Sequence, residues 1–563
     1  MDLHIVKSVR SFVAPIDEPI HSRLQSISSN QSALREIDAR HVGGDVELLN
    51  EIGYKQELER KFSTFQIFGI AYSIMGLLPS IASVAGTGLT SGSSGFVWSW
   101  AVASFFILLI GISMSELGSA IPTSGGLYYW TYYYAPPKFR VPVSFVIGLS
   151  NSMALSSGLC SINFGFAEEV LAAVYIQKDG DFEITNPKLY GIFAAAVVTQ
   201  GIVTSLSSKH IAILQSISYV SNTFIIILYF IALPIGTRVN RHHFNDGAFI
   251  FGQVSNFSDW PKGWQFMLSM MTAIWTIGSF DSCVHMSEEA KNATRGVPIG
   301  IIGSISVCGL LGWLIIICTV ACMNPDINAV LNTDTGFPVA QIIYDSLGKN
   351  WAIAFMSLLA YCQWLMGSSI LAALSRQAWA FARDNGLPFH SIVKVVNKKL
   401  ASPIRAVVFS CILSLIIGCL TFGGEQCQQA LFSLAVAGNY LAWVTPVFLR
   451  LTWGKDRFRP GAFYLGKYST PLNWVTCFWC FFVIILCMFP GSKSVDKTTM
   501  NYTVVINCGV WILSVVYFYV YKYKFYHGPS SNLDDEVSPH LIDTELNAVP
   551  IDHDSTLNEE KTA

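Results

Sequence analysis

The sequence is dominated by apolar runs long enough to cross a lipid bilayer. Such a helix needs roughly 20 predominantly apolar residues, and lipid admits such runs because a helix satisfies its own peptide groups. The twelve predicted spans are Phe65–Leu89, Phe96–Ile121, Val143–Tyr175, Leu189–Leu206, Ile211–Ile235, Trp264–His285, Ile299–Met323, Trp351–Phe381, Val407–Phe422, Ala430–Leu449, Leu472–Phe489 and Val504–Tyr521. The sequence therefore predicts an all-α integral membrane protein with twelve transmembrane helices.

The composition supports this prediction and indicates where the membrane domain ends. Of 563 residues, 52% are hydrophobic and 13% are charged, whereas about a quarter are charged in soluble domains. About 30 of the 72 charged residues lie in residues 1–61 and 522–563. We predict a polar tail over residues 1–62, a twelve-helix domain over residues 63–522 and an acidic tail over residues 523–563.

Several classes of function are disfavoured by the same sequence. The net charge is only −2, whereas a nucleic-acid partner requires a basic surface. The cysteines lie mostly alone within apolar runs, as Cys308 and Cys318 do, and we interpret them as small apolar side chains. No HExxH or GxSxG motif is present. We predict neither an enzyme, nor a metal site, nor a cofactor.

The distribution of basic residues predicts that both tails are cytosolic. Loops on the cytosolic side carry an excess of Lys and Arg, and with this orientation the inner loops hold nearly twice as many as the outer ones. The inner residues are Lys138, Arg140, Lys209, Lys291, Arg295, Arg383, Lys394, Lys398, Lys399, Arg405, Lys455, Arg457, Arg459 and Lys467. Asn256 then begins an Asn-Phe-Ser glycosylation sequon in an outer loop.

Two of the predicted spans are interrupted. Span one contains Gly76 and Pro79, which weaken a helix, and span six contains Gly278 beside Ser279. Close helix packing would explain one such glycine. Spans one and six, however, are equivalent positions if the first ten spans form two inverted repeats of five. Broken helices free peptide groups at mid-bilayer, so the pair favours a ligand site.

Four stretches of the sequence resemble a known superfamily of transporters. They are AYSIMGLLPSIASV from Ala71, ELGSAIPTSGGLYYWTYYY from Glu116, AIWTIGSFDSCVHMSEEAKNATRGVPIGI from Ala273 and SRQAWAFARDNGLP from Ser375. They are similar to the amino acid–polyamine–organocation superfamily, within it to the fungal amino acid/choline branch, and most of all to GABA-specific permeases. The resemblance extends from Glu51 to Pro529.

The resemblance implies a fold, a substrate and a mechanism. The fold is a 5+5 inverted repeat with broken helices one and six, followed by two additional C-terminal helices. The function is proton-coupled uptake of 4-aminobutyrate (GABA), with putrescine as a further substrate, by alternating access in the plasma or vacuolar membrane. A polyamine, choline or other organic-cation transporter and a non-transporting nutrient receptor are the alternatives. The partners are the small substrate, the proton and membrane lipid.

The two helix breaks provide the predicted substrate contacts. GABA has a carboxylate and an ammonium group, so its site needs separate donors and acceptors. The freed N–H groups of span one favour the carboxylate, and the freed carbonyls of span six favour the ammonium. The predicted substrate-binding residues are Ile74, Met75, Gly76, Leu77, Trp275, Thr276, Ile277, Gly278, Ser279 and Asp281.

Asp281 is also the main candidate for proton coupling. A carboxylate near the bilayer centre costs about 2.5–3.5 kcal/mol on insertion scales, so it normally faces a pocket or a partner. We expect it to contact the GABA ammonium or to carry the proton; structural pairing is the alternative. His285 lies one turn further along the same helix face and can share a proton with it.

Further polar residues have two interpretations each. Glu116 is interpreted as scaffold or inner gate, while Glu168 and its neighbour Glu169 either line an outer vestibule or extend to the interface. Asn222 takes the place where proton-coupled relatives carry a lysine, which leaves the coupling device open. Asn151, Ser152 and Asn439 are pocket or ion-path groups, or interhelical hydrogen bonds.

Overall fold

The computed structural model describes residues 44–530 except 242, 253, 398, 424, 495–499 and 501. Residues 1–43 and 531–563 of the two predicted tails lie outside the described residues. The first helices are α1 (Thr64–Met75), α2 (Leu77–Leu89), α3 (Gly92–Ala120), α4 (Gly126–Tyr134), α5 (Arg140–Gln177), α6 (Asn186–Thr204), α7 (Ser208–Asn240), α8 (Gly247–Phe251), α9 (Lys262–Ser269), α10 (Met271–Thr276) and α11 (Ser282–His285).

The remaining helices follow a short 3₁₀ turn at Ser287–Glu289. They are α12 (Ala293–Cys322), α13 (Ile327–Leu331), α14 (Pro338–Leu347), α15 (Lys349–Arg383), α16 (His390–Val393), α17 (Ile404–Gly418), α18 (Glu425–Thr452), α19 (Ser469–Leu486) and α20 (Thr503–Val520). Regular structure in the described part of the chain is thus helical, and β-pairing is limited to the isolated bridges Phe62 to Ala290 and Asn397 to Ser402.

Ten of the described helical segments are long and apolar enough to cross a membrane. They correspond to α1 with α2, α3, α5, α7, α12, α15, the 404–422 segment, α18, α19 with its preceding turn, and α20. The fourth and sixth predicted spans correspond to α6 and to the broken series α9 to α11. The all-helical, multi-pass membrane architecture is confirmed, while the count of twelve stays a prediction.

The surface of α7 shows how these helices meet lipid. Its outward face carries an apolar stripe that no other part of the described chain covers. The exposed residues are Ile213, Ile217, Val220, Phe224, Ile227, Ile231 and Ile235. On a soluble protein a patch of this size is rare, and in a bilayer it is the surface that lipid solvates. The stripe therefore marks α7 as a peripheral helix.

Helix α5 is the central element around which the candidate site is built. It packs mainly against α15 and α18, and glycines allow the close approach. A Cβ at Gly158 would lie 2.9 Å from Cδ1 of Ile370 on α15, and one at Gly438 on α18 would lie 2.9 Å from Cβ of Ala154. Small residues at such crossings are the usual means of packing membrane helices, where lipid supplies no hydrophobic drive.

Part of the predicted N-terminal tail is packed onto the helical domain. Leu49, Tyr54 and Leu58 are buried, and Arg60 donates from Nη1 to the carbonyl oxygens of Ser287 at 3.2 Å and Ala290 at 2.8 Å. Residues 44–62 therefore cover the turn that follows α11.

Candidate substrate and proton site

Span one is broken at Gly76, as its sequence predicts. Helix α1 begins at a capping box in which Ser63 and Gln66 satisfy each other's backbone N–H groups. It ends at Met75 because Gly76 adopts the left-handed conformation, with φ 35° and ψ 65°. Helix α2 starts immediately afterwards without a side-chain cap. The first N–H groups of a helix have no partner within it, so the break presents donors with a positive dipole end.

Span six is broken between α10 and α11. Helix α10 ends at Thr276, and residues 277–281 connect it to α11, with Ser279 in the left-handed region at φ 53°. The last carbonyls of α10 are acceptors at a negative dipole end. Thr276 adds a buried hydroxyl Oγ1 for which no hydrogen-bond partner is recorded among the described residues.

A cavity lies between the two breaks. It is lined by Ile74, Ser80, Gly158, Ile162, Ile274, Trp275, Thr276, Gly278, Ser279, Met366, Ile370, Ala435, Val436, Asn439, Tyr440 and Trp443. The side chains are mostly apolar, with a few polar groups among them, which is the usual make-up of a small-molecule site. Buried polar groups normally have partners, so the unpartnered atoms Thr276 Oγ1 and Trp443 Nε1 are available to a ligand.

The predicted substrate residues lie in three places: the cavity lining, the helix breaks next to it, and, for Asp281, outside the lining immediately before α11. Ile74, Trp275, Thr276, Gly278 and Ser279 line the cavity.

Met75, Gly76, Leu77 and Ile277 lie at the breaks themselves, next to the lining. Asp281 is not a lining residue, so its contact with a substrate ammonium stays a prediction.

Asp281 instead belongs to a buried polar chain that begins at the cavity. Asn439 lines the cavity and accepts from Asn151 Nδ2 at 3.1 Å. The same Nδ2 donates to Asp281 Oδ2 at 3.0 Å, and His285 Nε2 lies 3.5 Å from that oxygen. Asp281 and His285 are both fully buried. The structure thus brings together the aspartate and histidine that their spacing predicts to be neighbours.

The contact of Nδ1 of His285 shows which nitrogen of the ring carries hydrogen. Nδ1 lies 3.0 Å from the carbonyl oxygen of Ser124, and because a carbonyl only accepts, Nδ1 must carry hydrogen. A neutral ring then has a bare Nε2 facing a carboxylate oxygen. The bare nitrogen and the carboxylate oxygen are both acceptors, and they lie 3.5 Å apart.

Beyond His285 lies a cluster of buried ion pairs. Glu288 accepts from the Ser124 N–H at 3.0 Å and receives both terminal nitrogens of Arg383 at 3.0 and 3.1 Å. Glu289 accepts from Arg376 Nε at 2.7 Å. Burial opposes ionisation of Glu288, but the charge of Arg383 and the hydrogen bonds outweigh it and lower its pKa.

The pKa of a carboxyl group beside this cluster is shifted in the opposite direction. Asp384 accepts from the hydroxyls of Tyr54 at 2.8 Å and Tyr128 at 2.7 Å, and burial raises its pKa. Tyr54 belongs to the segment 44–62, so this contact ties the N-terminal segment to the end of α15. The ion pairs and this segment thus lie together beyond His285.

The other predicted coupling residues lie away from the cavity. Glu116 accepts from Arg450 Nη1 at 2.6 Å and from the Ser469 hydroxyl at 2.7 Å, so it joins α3, α18 and α19. Asn222 is buried and donates to the carbonyl of Ser218, on its own helix, at 2.9 Å. Glu168 is half-buried near the C-terminal end of α5. Their roles in coupling stay predictions.

Sequence reasoning missed most of the cavity wall. Gly158, Met366 and Trp443 come from α5, α15 and α18. The ring of Trp443 packs against Phe280 at a centroid distance of 4.3 Å, with the two ring planes tilted by 32°. The sequence signal for these positions is weak because apolar side chains in apolar spans look alike. The small residues at 158 and 438 were the available indication of close packing.

The fold and the site define a class of protein: a multi-pass membrane protein with a buried cavity between two broken helices. The model of the amino acid permease family matches residues 62–511, and the chain belongs to this family. It is a transporter rather than an enzyme, and its substrate is a small amino acid or amine.

Individual relatives span nearly the whole chain. The GABA-specific permease of Saccharomyces cerevisiae is 58% identical over 93% of this chain and 93% of its own length. An uncharacterized amino-acid permease of Schizosaccharomyces pombe is 32% identical, over 93% and 94%. A putative polyamine transporter of Candida albicans is 29% identical, over 91% and 94%.

The break at Gly76 can be tested by adding one methyl group. A Cβ there would lie 1.8 Å from Met366 Sδ, and the left-handed backbone disfavours a side chain by about 1–3 kcal/mol. We expect Gly76→Ala to lower accumulation of labelled substrate by about ten-fold or more at a normal membrane level. The matched control is Gly86→Ala on α2, where the nearest atom is 3.7 Å away. Normal transport by Gly76→Ala would exclude this break as a binding element.

Proposed function

We propose that the protein takes up GABA together with protons by alternating access. The observation that carries this proposal is the cavity between the helix breaks, with the N-terminal end of α2 on one side and the C-terminal end of α10 on the other. The high identity to a GABA-specific permease supports the choice of substrate.

The cavity offers a complement to each part of GABA. The first-turn N–H groups of α2 and the indole N–H of Trp443 suit the carboxylate. The carbonyls that end α10 and the hydroxyl of Thr276 suit the ammonium. Ile162 and Met366 provide an apolar surface for the three methylene groups between the charges. A polyamine, which has no carboxylate, would leave the α2 donors without an anion.

The polyamine alternative has one observation in its favour. The relative that is 29% identical is named a putative polyamine transporter, and putrescine shares the ammonium group and the methylene chain of GABA. We therefore include putrescine as a competing substrate and treat its transport as the second candidate function.

For coupling, we propose that Asp281 and His285 hold the transported proton. Their geometry favours this role over direct contact with the ammonium, because His285 Nε2 lies 3.5 Å from Asp281 Oδ2 and Asp281 is outside the cavity lining. Asn439 and Asn151 connect the pair to the cavity, and the Ser124 peptide connects it to the ion pairs of Glu288. Substrate binding and closure are thereby linked to the same proton.

The membrane arrangement completes the proposal. Helix α6 and the series α9 to α11 also cross the membrane, which gives twelve spans with a 5+5 inverted repeat and two additional helices. Both termini are cytosolic, so the ion pairs around Glu288 close the cytosolic side. Lipid surrounds the domain, in the plasma membrane or the vacuolar membrane.

A competition panel tests the substrate. Proteoliposomes or cells lacking other GABA carriers take up labelled GABA in the presence of putrescine, choline, β-alanine or glutamate. We expect β-alanine, which has both charged groups, to compete most strongly, and choline and glutamate least. Complete competition by choline with none by β-alanine would contradict the proposal, and so would labelled GABA that binds but never accumulates, which is the behaviour of a receptor.

The substitution Asp281→Asn tests the proton role. It preserves the size of the side chain and removes its charge. We expect exchange of internal for external GABA to persist with little pH dependence, while accumulation driven by a pH gradient falls by about ten-fold or more. Asp326→Asn, at an exposed helix cap, is the control.

Two results for Asp281→Asn would speak against the proposed role. A loss of apparent GABA affinity of about ten-fold, with accumulation still pH-driven, would indicate direct ammonium contact instead. Normal accumulation with normal affinity at every pH would show that Asp281 is structural.

A further inference from the structure

A second buried acid lies on the opposite side of the cavity from Asp281. Glu169 is on α5 and its side chain is fully buried. Neither of its carboxylate oxygens has a hydrogen-bond partner among the described residues. Among the other buried acids, Glu116 and Glu288 have Arg partners, Asp281 accepts from Asn151, and Asp384 accepts from two tyrosine hydroxyls. Glu169 therefore differs from these acids because its carboxyl group has no partner among the described residues.

Helix geometry connects Glu169 to the cavity. Ile162 lines the cavity, and Glu169 follows it by seven residues, so the two lie on the same face of α5 about 10 Å apart along its axis. Asp281 is held by Asn151, which precedes Ile162 on the same helix. The cavity thus lies between two acids, one toward each end of α5.

Two polar side chains lie beside the part of α5 between Ile162 and Glu169. Gly165 lies between them, and a Cβ at this position would be 2.7 Å from Gln363 Nε2 and 2.9 Å from Ser83 Oγ. Gln363 Nε2 donates to the carbonyl of Ile162 at 3.1 Å, while its Oε1 is buried without a partner among the described residues. Two polar side chains thus lie beside Gly165, about one turn of α5 before Glu169.

The titratable groups near Glu169 carry no positive charge that could stabilise its carboxylate. They are Glu168 on the same helix and Cys362 on α15, and no cation in the described part of the chain is among them. A buried carboxylate without a donor or a cation is costly, and such a group takes a proton instead. Burial without a partner therefore favours the protonated form of Glu169 over the charged form.

We propose that Glu169 binds a proton during the transport cycle. Glu169 must be protonated before the end of the domain that contains it can close. One proton passes from water to a carboxylate oxygen when that end is open, and it returns to water when the side chain is next exposed. No other bond changes. With cytosolic termini this end faces the outside, so external protons would promote closure over bound substrate. The inference rests on the proposed transport function.

The test compares the pH dependence of Glu169→Gln with that of the parent. Glutamine has the size of the protonated acid and does not titrate. A single linked proton changes an apparent constant by up to ten-fold per pH unit. Labelled GABA uptake into proteoliposomes is measured with external pH varied over about 4 to 9, where buried carboxyls titrate. We expect the apparent KM of the parent to fall as external pH falls and that of Glu169→Gln to depend less steeply on pH, because only the proton assigned to Asp281 and His285 remains.

Three further variants separate the possible outcomes. Glu169→Asp restores a titrating group and should restore the pH dependence, whereas Glu183→Gln, in an exposed loop, should match the parent. An unchanged pH profile in Glu169→Gln would overturn the proposal. So would a flattened profile in Glu168→Gln alone, which would assign the proton to the neighbouring acid.

An infrared measurement keeps the inference separate from transport. The purified parent should show a protonated-carboxyl C=O band that is weaker in Glu169→Gln; a band of parental intensity in the variant would contradict the proposal. If Glu169→Gln aggregates on size exclusion, Glu169→Met is measured instead, since it has similar length and no polar atom. If the parent fails to transport GABA, the proposed function is wrong. If the parent transports GABA but the band is unchanged in the variant, only the inference about Glu169 is wrong.

Discussion

The structure depends on one constraint: a helix interrupted inside a bilayer must find other partners for the peptide groups that it frees. Two helices are interrupted here, at Gly76 and after Thr276, and the breaks face one cavity. One break presents helix N–H groups and the other presents helix carbonyls. The arrangement places a donor set and an acceptor set on opposite sides of an apolar space, which is what a zwitterion with separated charges requires.

The same constraint organises the proton chemistry. Buried carboxylates must be paired or neutral, and the acids of this protein show both solutions. Glu116 and Glu288 are paired with arginines and hold helices together, whereas no Arg or Lys in the described part of the chain pairs with Asp281 or Glu169. The Ser124 peptide bonds to His285 through its carbonyl and to Glu288 through its N–H. One peptide group therefore connects His285 to the ion pair of Glu288 with Arg383.

Much of this could be predicted from the sequence, and the limits have physical causes. The spans, the break at Gly76 and the proximity of Asp281 to His285 follow from local rules of length, backbone conformation and helical spacing. The cavity wall does not, because it depends on which apolar face of α5, α15 and α18 turns inward. Glu168 and Glu169 differ by about 100° around the helix, and only packing decides that Glu169 is the buried one.

The N-terminal region shows a further limit. Residues 44–62 read as part of a polar tail, yet Tyr54 and Arg60 bond to groups hundreds of residues away in sequence. Likewise, Arg376 pairs with Glu289 and Arg383 pairs with Glu288, the two adjacent acids of the SEEAKN stretch. Pairings of this kind have no local signal, since each charge alone is compatible with a solvated loop.

The most direct measurement for the central claim is an electron cryo-microscopy map of the protein with GABA bound. We expect ligand density between Gly76 and Ser279, with its carboxylate at the first turn of α2 and its ammonium at the end of α10, and none there in a map without GABA. Density for GABA elsewhere, with the space between the two breaks filled by side chains, would contradict the account.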